Sequence, residues 1–122
     1  MKRDWDVIRE VLIEVEGLKR QELPGFFYST DPNGDPKGVA KADQALILYR
    51  AGFLNGTLTE YFSDPSTFHA PVLTWSGYDL LETMRSKPIW DRIKTTAQEK
   101  GLELTFDAVK VLGKQALDWI VT

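Results

Sequence analysis

Between residues 24 and 38 the chain places Pro24, Gly25, Pro32, Gly34, Pro36 and Gly38. Proline removes a backbone donor and clashes with the preceding helical turn, and glycine loses the most freedom on folding. No helix of useful length can form across that stretch. The two flanking stretches both carry helical periodicity, so the chain must run helix, irregular or extended connection, helix. Inside the gap, Phe26-Phe27-Tyr28-Ser29-Thr30 is a short aromatic run suited to a strand. Asp31-Pro32-Asn33-Gly34-Asp35-Pro36 is turn chemistry, with φ fixed by Pro and left-handed positions supplied by Asn-Gly.

Trp5, Ile8, Leu12 and Val15 recur at steps of three and four, which predicts an amphipathic helix from Trp5 to Glu16. Asp4 suits its N-cap and Gly17 its stop. A second helix is expected from about Val39 to Ala51, with Ala42, Leu46, Tyr49 and Phe53 buried and Gly52 ending it. Asn55-Gly56 then reads as a turn. Two strands follow, Thr57–Phe62 and Phe68–Leu73, joined by the polar run Ser63-Asp64-Pro65-Ser66-Thr67. Pro71 lacks an N–H, which places the second strand at a sheet edge.

Helical periodicity returns afterwards. Thr74 is positioned to cap a helix whose stripe is Trp75, Tyr78, Leu81 and Met84. Pro88 opens a helix with Ile89, Trp90, Ile93 and Ala97 that stops at Gly101, and Thr105 caps a last one with Val109, Leu112, Ala116 and Trp119/Ile120. The 122 residues suffice for one domain. The expected fold class is mainly α with a small β-sheet (α+β), a winged-helix-like domain with a core over 4–86 and a helical extension over 87–121. The Pro/Gly gap removes the second helix of an ordinary helix-turn-helix.

The Met1-Lys2-Arg3-Asp4-Trp5-Asp6 start, Ala51-Gly52-Phe53-Leu54, Leu73-Thr74-Trp75-Ser76-Gly77-Tyr78-Asp79-Leu80-Leu81, and Trp90 followed by Thr105-Phe106-Asp107 span nearly the whole chain. In these blocks the chain resembles an uncharacterised family of small bacterial and prophage proteins that carries a domain-of-unknown-function label. The Leu-Thr-Trp-x-Gly-x-Asp block is the most specific part, and residues 20–40 match least. The resemblance implies a winged-helix-like fold and a phage or prophage setting. It carries over no activity, ligand or catalytic residue.

Chemistry is sparse. Cysteine is absent, which removes thiolate catalysis, disulfides and the commonest zinc sites. The lone His69 has no nucleophile or metal-ligand spacing around it, and phosphate-binding and dinucleotide motifs are missing. Asp31, Asn33 and Asp35 alternate like the start of a calcium loop. The Gly and Glu that such a loop needs further on are replaced by Pro36 and Ala42, so a plain turn explains them better. No catalytic residue, metal or cofactor is expected. No apolar run reaches membrane-span length and no signal peptide is apparent, so a cytoplasmic location is expected.

What remains is binding of a macromolecule. With 15 Lys and Arg against 18 Asp and Glu, the chain has no global basic field. Between Arg50 and Arg85 there is no base at all. The first reading is therefore a non-enzymatic phage- or prophage-type accessory protein that binds a protein partner, such as a host defence or replication component, or itself, through Phe26, Phe27, Tyr28, Tyr61 and Phe62. The alternative is a DNA-binding regulator using the helix at 39–51 and the wing at 55–73. In that reading Lys41 and Arg50 meet phosphate, Gln44 reads a base, and Arg85 and Lys87 add contacts.

Overall fold

The Asp4 carboxylate accepts the Val7 N–H at 3.2 Å and so starts α1 (Trp5–Glu16) where the sequence predicts. Ile8, Val11, Leu12 and Val15 form its buried stripe. The structure, a computed structural model, describes residues 2–60 and 65–121, with side chains to residue 116. Those residues group into two units, Met1–Tyr78 and Asp79–Thr122.

In the first unit a 3-10 turn at Leu23–Gly25 leads into β1 (Phe27–Ser29). The next helix, α2 (Pro36–Arg50), begins three residues before the predicted start at Val39. Pro36 tolerates that position because the first turn of a helix has no internal acceptor for its N–H. β2 (Leu54–Thr59) and β3 (Thr67–Leu73) complete an antiparallel sheet of order β1-β3-β2.

Two strand expectations are overturned here. Asn55-Gly56 lies within β2 and makes no turn, and Pro71 lies in the central strand, not at an edge. Both follow from one irregularity. Asn55 pairs with Val72 and Thr57 with His69, so Gly56 alone opposes Ala70 and Pro71. This is a β-bulge, where a missing N–H costs no ladder bond. Ala70 takes a left-handed φ of 52° within it. A Cβ on Gly56 would come within 2.2 Å of the Phe68 ring and 2.9 Å of the His69 carbonyl oxygen, so glycine is required by close approach.

The junction with α3 (Trp75–Arg85) is tight. Thr74 Oγ1 accepts the Gly77 N–H at 3.0 Å as a cap and donates to the Gly52 carbonyl at 2.7 Å. The division between the units falls inside α3.

In the second unit α4 (Lys87–Glu99) packs with α5 (Phe106–Val121). Its buried side chains include Leu81, Met84, Trp90, Ile93, Val109 and Leu112. Pro88 sits in the first turn of α4, Gly101 follows it at a φ of 66°, and Thr105 Oγ1 accepts the Ala108 N–H as predicted for a cap. The class is α+β, mainly helical with one small sheet, as the sequence predicts.

Candidate functional site

The sheet has two faces of opposite character. Directly opposed residues point to the same side, so Tyr28, Phe68 and Leu58 form one inward row across β1, β3 and β2. Phe68 is fully buried, Tyr28 nearly so, and the Phe68 ring meets Tyr49 of α2 with centroids 5.0 Å apart.

The outward side carries the rows Ser29–Thr67–Thr59 and Phe27–His69–Thr57, then Val72 opposite Asn55. The bulge brings His69 and Val72, three residues apart, onto one face where a regular strand would split them. None of these outward side chains is an acid or a Lys or Arg. Phe27 is 54% exposed and its ring lies 5.7 Å from that of His69. Val72 is also exposed. Three residues beyond it, at the start of α3, Trp75 is 87% exposed, and it lies 6.3 Å from Tyr78, itself exposed.

Of the five aromatic residues expected to form one contact surface, the structure describes Phe26, Phe27 and Tyr28, and it gives them different surroundings. Tyr28 is a correction: it is buried, and its hydroxyl donates to Glu14 Oε1 at 2.7 Å. Burial first, then the hydrogen bond and charge of Glu14, push its phenol far above the usual range. Phe26 is half-buried and meets the Tyr28 ring edge-on at 5.1 Å. Among the three described, only Phe27 stands in solvent. Tyr61 and Phe62 lie outside the described residues.

The nucleic-acid set falls in both units, and its members already have partners within the protein. Gln44, expected to read a base, is a correction: it is buried, its Oε1 accepts the Asp4 N–H at 2.9 Å, and its Nε2 donates to the Lys2 carbonyl at 3.1 Å. It fastens the chain ahead of α1 to α2. Lys41 pairs with Glu14 at 3.1 Å and Arg50 with Glu60 at 3.0 Å. In the second unit Arg85 pairs with Glu82 and Lys87 with Asp91. The Lys87 ammonium, by hydrogen bond and charge, holds the Asp91 carboxyl below its ordinary value.

One open cavity of 190 Å³ lies beside β1, walled by Phe27, Tyr28 and Ser29 on one side and by Asp31, Asp35 and Val39 on the other. Asp31 Oδ1 accepts the Asn33 N–H at 2.9 Å, so a turn forms where the Asp-Pro-Asn-Gly run predicts one, but neither Asn33 nor Gly34 takes the left-handed φ expected of them.

Sequence reasoning missed Val72, Trp75 and Tyr78 as surface residues. Trp75 fits a three-residue step to Tyr78 and was therefore expected on the buried stripe of its helix. A first-turn residue directly after a cap has no preceding turn beneath it, and that position was the available signal.

The fold and surface define a small α+β protein with a three-stranded sheet whose partly apolar outer face carries no Asp, Glu, Lys or Arg. The chain belongs to the family described as "Hypothetical protein (DUF2513)", whose model matches residues 2–103. It is 31% identical over 115 residues to an uncharacterized protein of Haemophilus influenzae, covering 90% of each chain. No solved structure matches it. Among the described residues, no helix is long and apolar enough to cross a membrane.

Proposed function

We propose that this is a non-catalytic module that binds a protein partner through the outer sheet face and the start of α3. One observation carries the reading: Phe27, Val72, Trp75 and Tyr78 are large apolar side chains of the first unit that stand exposed. Exposed apolar side chains on one surface mark interaction sites, and Trp and Tyr are the residue types that dominate binding energy. The order α1, β1, α2, then a β2–β3 hairpin with β3 central supports a winged-helix-like description of the first unit. A prophage-type accessory role in the cytoplasm fits a small binding module of this kind.

The alternative, a DNA-binding regulator, draws on that same helix and wing. Against it, Gln44 is occupied inside the protein and Lys41 and Arg50 each face a carboxylate. Phosphate contacts would first have to break these pairs.

A photo-crosslinking amino acid placed at position 27 or 75 tests the proposal in bacterial lysate, with position 110 on the exposed part of α5 as control. The expected result is a discrete protein adduct at 27 and 75 and none at 110. A salt titration against duplex DNA runs alongside. Steep salt-dependent binding with no protein adduct would replace this reading with the DNA one.

A further inference from the structure

The direction of the backbone groups of β1 follows from its ladder. Ala70 N–H donates to the Phe26 carbonyl at 2.9 Å, and Thr30 N–H donates to the Ser66 carbonyl at 3.0 Å. Antiparallel pairs alternate between bonded and non-bonded, so pair 28/68 is bonded and pairs 27/69 and 29/67 are not. Phe27 and Ser29 therefore turn their N–H and C=O groups away from β3. The described sheet has no strand on that side.

The 190 Å³ cavity lies along this edge. It touches Tyr28 from the inner face of β1 and both Phe27 and Ser29 from the outer face, and only a space beside the strand reaches both. Its lining includes two acidic residues, Asp31 and Asp35, and no Lys or Arg. Asp35 stands at the N-cap of α2 without using its side chain as a cap. Neither acid is in an ion pair among the described residues. Gly38 keeps that part of the lining low, because it adds no side chain to the first turn of α2.

We propose that the free edge of β1 accepts an extended, basic segment of a partner protein as an added strand, with a Lys or Arg side chain facing Asp31 and Asp35. Main-chain hydrogen bonds to Phe27 and Ser29 hold such a segment, and the carboxylates select its charge. Charge decides among occupants. A second copy paired edge to edge would set Asp31 and Asp35 of one chain against those of the other, and an acidic segment meets the same repulsion. The inference rests on the protein-binding reading above and names the chemistry of the partner.

The test titrates the full-length, ¹⁵N-labelled chain with three probes: acetyl-Val-Arg-Val-Arg-Val-amide, its Glu-for-Arg counterpart, and the Arg peptide N-methylated at its central Val. The Arg peptide should give saturable shifts at Phe27, Ser29, Gly34 and Gly38. The Glu and N-methyl peptides should each bind at least tenfold more weakly. Asp31→Asn with Asp35→Asn should weaken the Arg peptide at least fivefold while leaving the remaining spectrum in place. Equal binding of the Glu peptide, equal binding of the N-methyl peptide, shifts confined to other surfaces, or no shifts at all would each overturn strand addition at β1. Adducts at positions 27 and 75 score the protein-binding reading separately, so either idea can fail alone.

Discussion

Phe27 and Tyr28 are neighbours in sequence and opposites in fate. Tyr28 points into the first unit and donates a hydrogen bond to Glu14, while Phe27 points out beside His69 with half its surface in water. A strand alternates faces, so the pair could be swapped only by a one-residue slip of β1 that would take Tyr28 out of the inward row it shares with Phe68 and Leu58. Within β1 the packing therefore falls on one side, and the other side is left in solvent.

The sharpest way to break that contrast is to truncate each member. Tyr28→Ala should destabilise the fold by about 3–5 kcal/mol, as for other large buried side chains, whereas Phe27→Ala should cost under about 0.5 kcal/mol. Urea denaturation of the two variants checks this, and equal losses would show that the two faces do not divide the roles. Next in size is Gly56→Ala, which forces a methyl group into the Phe68 ring and should cost about 2–3 kcal/mol by overpacking. The same titration reads it, and a neutral result would mean that the bulge opens freely.

Smallest is Tyr28→Phe, which keeps the ring and deletes the hydroxyl, with an expected loss of about 1–2 kcal/mol at neutral pH. Its pH dependence has a definite sign. The folded phenol ionises well above the ordinary value of 10.0, so its contribution is complete below that pH. At higher pH the unfolded chain loses the phenolic proton and the folded one keeps it. The gap between wild type and Tyr28→Phe should narrow as pH rises above 10.0. A gap that widens there would contradict the burial of the hydroxyl.

Much of this was readable in the residues. Asp4, Thr74 and Thr105 cap the helices they were expected to cap, because a short polar side chain before an apolar stripe has one favourable local use. The sheet was harder. Asn55-Gly56 resembles a turn because the preference of Gly for turns is local, while its use here is to let Phe68 pass from another strand. Pro71 suggests an edge by the same local logic, yet the bulge that accommodates it exists only once β2 and β3 pair. The candidate surface was half visible. The aromatic run at 26–28 was found, but the face each ring takes depends on a register that no single strand encodes. Lys41 and Gln44 were read as available because Glu14 and the backbone of residues 2–4 reach them only in three dimensions.

The kink at Ala70-Pro71 also bears on what this segment does when the chain is not folded. Thr67–Leu73 is rich in β-forming residues and holds no Asp, Glu, Lys or Arg, and apart from Pro71 it has the composition of segments that stack into cross-β fibrils. Every layer of such a stack would repeat the missing proline donor, leaving a carbonyl unanswered at each rung. The residue that bends the native hairpin is thus also a gatekeeper against aggregation of newly made protein.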